Sequence, residues 1–201
     1  MEIDKRRWFN GFVSKPVALP ETREIRINET YRGYAPRVNA SAIVHQLLSS
    51  VPAKYLRGLD CIVLTNETAL PRSGRIGKMW SRGRKFKKSD VLGLYHGRSR
   101  SGGGSSPYIE LRVDKIIASL RGAFLWVPIL REIAFGHVLF HEVGHHIHRT
   151  TRPEHSEKED VADRWAGKLN VNFIRKKYWY AMWFIVPAMK VYKFMRRRDW
   201  I

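Results

Sequence analysis

At 201 residues and 44% hydrophobic content, the chain can bury one real core, alone or with an appendage. Its single cysteine, Cys61, excludes an intrachain disulfide framework and a cysteine-rich metal site, and it fits a reducing compartment. The net charge of +19 is uneven: residues 1–70 carry +3, 71–118 carry +9, 119–170 carry none and 171–201 carry +7. Two basic blocks flank a neutral centre, so the charge suits an acidic partner or surface and not the chemistry of the centre.

Residues 1–20 read as an N-terminal extension to a domain over 21–170. Met1-Glu2-Ile3-Asp4-Lys5-Arg6-Arg7-Trp8 has no apolar run behind its charges, so no secretory signal is expected and the cytoplasm is the expected compartment. Thr22 to Thr30 alternates weakly and predicts a short strand. Asn39 is placed to cap a helix running to about Leu48, with Val44, Leu47 and Leu48 on its apolar side, and Pro52 starts a further helical turn to Leu56. Cys61-Ile62-Val63-Leu64-Thr65 is a short apolar run of the kind found in buried strands.

Residues 71–90 break character. Arg72, Arg75, Lys78, Arg82, Arg84, Lys85, Lys87 and Lys88 sit among glycines, with only Trp80 and Phe86 between them. This predicts a basic loop or extended insertion, either solvated or facing nucleic-acid or lipid phosphate; two aromatics are too few to argue base stacking. Val91 to Tyr95 predicts a strand. Arg98 to Ser106 holds Gly102-Gly103-Gly104 and reads as a flexible turn without the lysine of a phosphate-binding loop. Pro107 to Asp114 alternates, with Ile109, Leu111 and Val113 on one face. It predicts a half-buried strand in a hairpin with 91–95, and Pro107 suits an edge position.

A helix starting just after Pro128 carries His141-Glu142-Val143-Gly144-His145. At ~100° per residue, a helix sets His141 and His145 only ~40° apart on one face, so two imidazoles can hold one metal ion. Glu142 lies ~60–100° round, within reach of a water on that metal but angled away from ligating it. Phe140, Val143 and Ile147 continue an apolar stripe on another face. The competing reading is an amphipathic helix with surface histidines.

A catalytic zinc takes three protein ligands and a water. A third ligand from the same helix would spread the set over ~10 Å, so His137, His146 and His148 are expected at the surface or outside the ligand set. Ser156-Glu157-Lys158-Glu159 matches a capping box opening the next helix. Glu159 and Asp163 are four apart and share a face of that helix. Glu159 is the expected third ligand, and Asp163 the expected hydrogen-bond partner that orients a ligand histidine. His155 is the alternative third ligand.

The last block, 171–201, holds an uncharged run from Tyr178 to Met189 between Arg175-Lys176-Lys177 and Arg196-Arg197-Arg198. It is shorter than the ~20 residues of a membrane span. Packing on the domain or at a dimer contact, lying on an anionic membrane surface through 175–198, and spanning all remain open.

His141-Glu142-Val143-Gly144-His145 followed by Glu159-x-x-Ala162-Asp163-x-x-Ala166 resembles the gluzincins, zinc metallopeptidases whose third ligand is a glutamate, and in particular small ImmA/IrrE-like or minimal gluzincin domains. The resemblance spans residues 20–170. It implies an α+β, zincin-like fold: a small mixed or antiparallel sheet, an active-site helix and a following glutamate-bearing helix. It implies Zn2+ on His141, His145 and Glu159, with Glu142 as general base, Asp163 holding a ligand histidine, and a peptide or protein substrate paired along strand 107–114. His155 and Tyr108 are the candidates for stabilising the transition state. If His155 is the third ligand instead, the chain is similar to SprT-like proteases that act on DNA-bound proteins, and the basic segment 72–88 would serve nucleic acid. The metzincin pattern is absent, because the sixth position after His145 is Thr151. Outside peptide hydrolysis, a non-catalytic zincin-like module binding nucleic acid or a regulator fits the same residues. So does a membrane-surface protein whose helix only looks metal-binding.

Overall fold

The computed structural model describes residues 24–70, 78–81, 84–87, 91–97, 106–120, 122–151 and 159–181. The N-terminal extension, His155, most of the glycine-rich turn and all residues after 181 lie outside them. The architecture is mixed α+β, with a four-stranded mixed sheet and five helices among the described residues.

Strand β1 (Arg26–Glu29) leads to helix α1 (Ala40–Ser49), where the Asn39 side chain accepts from Ala42 N at 2.9 Å and caps the first turn as its residue type favours. Helix α2 (Ala53–Leu56) starts after Pro52. It ends where Gly58 takes a φ of +83°, a left-handed conformation open to glycine. Strand β2 (Cys61–Thr65) is buried on both faces, so it reads as a continuous apolar run and not as an alternation. It pairs in parallel with β1 and with β6 (Tyr108–Arg112), and β6 pairs antiparallel with β5 (Gly93–His96). The sheet order is β1-β2-β6-β5.

That order corrects one expectation. Strand β6 is interior, and the edges are β1 and β5. The alternation over 107–114 reports a buried face, since Ile109 and Leu111 are fully buried, but it carries no information about lateral position. Pro107 precedes the ladder, and its carbonyl accepts from Asp60 N at 2.8 Å. Val113, expected on the strand, opens helix α3 (Val113–Ser119). The basic stretch also differs from a plain loop. Strands β3 (Lys78–Ser81) and β4 (Arg84–Lys87) form an antiparallel pair joined by Arg82-Gly83. A two-residue connection containing glycine is the short hairpin signal, and the surrounding charges masked it.

Helix α4 (Pro128–Thr151) places proline in its first turn, where a missing N–H costs nothing. Its Phe135, Leu139, Phe140 and Val143 are fully buried, among the same core as Ile62, Leu64, Ile109 and Leu111 from the sheet and Val44 and Leu47 from α1. Each such side chain contributes ~1.5–3 kcal/mol, enough to fix the rotation of α4 about its axis. Helix α5 (Glu159–Lys177) runs back antiparallel along α4 and crosses residue 170 without a break.

Candidate metal centre

The crossing of α4 and α5 builds the site. A Cβ on Gly144 would stand 2.8 Å from Ala162 Cα and 2.9 Å from Ala162 O, closer than real contacts allow. Glycine on one helix and alanine on the other therefore let the two backbones touch here. The pairs Gly144-His145 and Glu159-x-x-Ala162 thus work together: the small residues Gly144 and Ala162 bring the chelating ones within reach. Gly136 repeats the device two turns earlier, where a Cβ would meet Asn170 Oδ1 at 2.6 Å.

The structure brings His141, His145 and Glu159 together as a group that could hold a metal ion. His145 Nε2 lies 3.1 Å from His141 Nε2, and Glu159 Oε2 lies 3.3 Å from the first of these imidazoles' partner atoms, His141 Nε2, and 3.9 Å from His145 Nε2. A point about 2.0 Å from all three atoms exists in this triangle, matching the ~2.0–2.2 Å bonds of nitrogen and carboxylate oxygen to a small transition-metal ion. The donor chemistry agrees. His141 Nδ1 lies 2.9 Å from Asp163 Oδ1, so this nitrogen carries the proton and donates to the carboxylate. In the neutral ring, Nε2 then presents a lone pair toward the Glu159 oxygen and toward a second imidazole. With both Nε2 atoms unprotonated, the two imidazoles and the carboxylate offer three lone pairs to one cation. The residues present fit a metal ion.

Glu142 is buried on the α4 flank that meets β5. A Cβ on Gly93 would stand 3.0 Å from Glu142 Cγ, 3.1 Å from Glu142 Oε1 and 2.7 Å from Val138 Cγ1. Only glycine at 93 lets the edge strand lie this close to the carboxylate. Nothing in the sequence reading singled out Gly93 or the packing role of Gly144. The signal was a glycine inside a strand and another inside a helix, each of which marks a close backbone approach.

The remaining histidines divide. His137 is exposed. His146, expected at the surface or outside the ligand set, is fully buried: its Nε2 donates to Arg57 O at 3.1 Å and its Nδ1 accepts from Tyr95 hydroxyl at 3.2 Å. Burial pushes its pKa down, opposed by the bond to Arg57 O, and the ring is a neutral bridge between α4, β5 and the end of α2. His148 is also buried. His146 and His148 are therefore outside the ligand set without being surface residues, because α4 is covered on two sides, by β5 and by α5. Tyr108 lies away from the site. Gly93 and Tyr95 face α4 with their partners Leu111 and Ile109, so Tyr108 falls on the opposite face, where it stacks on His96 at 4.3 Å between ring centres. His155 and the serine of the capping box are not among the described residues; Glu159 is the first residue of α5, with its carboxylate at the imidazoles.

No protein family, curated protein or solved structure matches the chain.

Proposed function

We propose that the chain is a zinc-dependent metallopeptidase of the gluzincin type, with His141, His145 and Glu159 as metal ligands and Glu142 as general base. The triangle of two imidazole nitrogens and one carboxylate oxygen, with separations of 3.1, 3.3 and 3.9 Å, carries this reading. Nitrogen and oxygen donors in a three-ligand set favour zinc with a position left for water or substrate. Zinc held there supplies a Lewis acid and lowers the pKa of bound water to ~7.

The chain's own residues do the rest. Asp163 fixes the His141 ring by accepting from Nδ1 at 2.9 Å. Glu142, one residue after the first ligand, takes a proton from the attacking water and passes it to the leaving amine. Strand β5 has no ladder partner beyond β6 among the described residues, and its Gly93 borders Glu142. An extended peptide adding to that open edge would pass its carbonyls near the carboxylate. This moves the substrate-pairing role from strand 107–114 to β5.

Elemental analysis of the purified chain tests the ligand set. About one equivalent of zinc is expected for the wild type, and a large loss for Glu159→Ala with the fold intact by circular dichroism. Less than about 0.1 equivalent in the wild type, with no uptake on adding zinc, would remove the metalloenzyme reading.

A further inference from the structure

The end of the α4–α5 hairpin away from the metal centre carries an unexplained surface. At this end Glu132, near the start of α4, is buried and is held by Lys177 Nζ at 2.7 Å and by the Tyr178 hydroxyl at 2.8 Å. That knot brings two chain segments to the same place. One is the 3-10 turn Gly122–Trp126 with Val127, leading into α4; the other is the 3-10 turn Trp179–Ala181, leaving α5. Both expose large apolar side chains: Phe124, Trp126, Val127, Trp179 and Tyr180 are between 39% and 68% exposed. They comprise five of the six exposed large hydrophobic residues among those described, and they flank the start of α4 and the end of α5, which the Glu132 contacts join. Packing among the described residues does not account for them.

The charges next to them in the sequence are basic: Arg131, Arg175, Lys176 and Lys177, while Glu132, the nearest acid in the sequence, is paired with Lys177. Tryptophan and tyrosine have an apolar body and a polar tip suited to a headgroup layer, and lysine and arginine complement anionic lipid. The sequence leaving this end continues the same chemistry: Met182 to Met189 is uncharged and includes Ile185 and Val186, and Lys190, Lys193 and Arg196 to Arg198 follow. The exposed aliphatic Val127 adds to a lipid contact and does nothing for stacking on nucleotide bases, so lipid is favoured over nucleic acid. No helix among the described residues is long and apolar enough to cross a membrane.

We propose that this end is a docking surface for an anionic bilayer, in which Phe124, Trp126 and Val127 enter the headgroup layer beside Trp179 and Tyr180, with Arg131, Arg175 and Lys176 against the lipid charge. The claim is independent of the chemistry at the metal centre. By helix rise, His141 stands roughly 20 Å along α4 from Pro128, the residue that follows Val127.

The test is flotation of the full chain with vesicles, either phosphatidylcholine alone or equal parts phosphatidylcholine and phosphatidylserine. Wild type is expected to float with the anionic vesicles only, with a blue shift of tryptophan emission. Trp126→Ser with Val127→Ser should cut the vesicle affinity about tenfold. Arg175→Gln with Lys176→Gln should cut it about fivefold per charge at low salt and flatten the salt dependence. Melting temperatures within a few degrees of wild type keep the comparison clean, since these side chains are exposed. Four outcomes overturn the proposal, the first three being no binding to anionic vesicles; binding that Trp126→Ser with Val127→Ser leaves unchanged, which assigns it to the tail alone; and a fall in sedimentation mass with that variant and no lipid effect, which makes the surface a contact between copies. Displacement from vesicles by a single-stranded oligonucleotide at equal affinity would overturn it in favour of nucleic acid.

Discussion

Asp163 holds the proton inventory of the metal centre. By accepting from His141 Nδ1 at 2.9 Å it leaves the Nε2 lone pair for a metal and stops the ring from turning. Asp163→Ala should leave the three ligand atoms in place but lower zinc affinity about 10–100-fold, read by competition with a chelating dye. Unchanged affinity would show that the ring is held by packing alone. Residues of this kind were the most legible in the sequence. Spacing of four along a helix puts His141 with His145 and Glu159 with Asp163, because a turn of helix is fixed geometry. What spacing could not supply was burial. His146 lies one position from a ligand, yet it is a core residue bonded to Tyr95 and Arg57 O, because β5 and α2 happen to close over that flank.

Helix packing decides whether the ligands meet. His141 and His145 come from one helix and Glu159 from another, so the inter-helix distance at Gly144 and Ala162 sets the other two sides of the triangle. Gly144→Val would put carbon atoms where Ala162 Cα already stands, within 2.8 Å. The expected cost is ~1–3 kcal/mol in urea denaturation, with a loss of zinc affinity larger than the loss of stability explains. The far end of the same hairpin is fixed by Glu132. The burial of Tyr178 and its bond to Glu132 raise the phenol's pKa, in that order of effect. Tyr178→Phe should lower stability by ~1–2 kcal/mol, leaving Lys177 on the carboxylate, with zinc affinity within twofold of wild type. Together the two variants separate the crossing that makes the site from the contact that only closes the hairpin. At this scale the existence of the elements was readable, from the Asn39 cap, Pro128 at the start of α4 and the apolar run of β2. Lateral order was not. An alternating strand shows the same pattern at an edge or one place in, and β6 lies one place in. The end of α5 was also hidden, because its last turn is basic and looked like the start of a separate tail.

For the whole molecule, the uneven charge sets the neutral segment with His141, His145 and Glu159 apart from the basic blocks. The sheet and α1 hold α4, α4 and α5 hold the three ligands, and the apolar and basic residues at the opposite end remain available for another surface. A site assembled from two helices exists only in the folded chain, so metal binding must stabilise the fold. With free zinc at one hundred times its dissociation constant, stability should rise by about 2.7 kcal/mol, and a chelator should reverse the gain in melting temperature. A melting temperature indifferent to zinc and chelator would mean that no metal binds the native state.

The most direct measurement compares wild type with Glu142→Gln, both loaded with zinc, for cleavage of a mixture of unstructured peptides followed by mass spectrometry. Glu142 is buried beside Gly93 and is not among the three ligand atoms, so its amide variant should keep about one equivalent of zinc. The account predicts new peptide termini with the wild type and a rate at least about a hundredfold lower with Glu142→Gln. Zinc-loaded wild type that cleaves nothing, or a Glu142→Gln variant that cleaves at the wild-type rate, would contradict it.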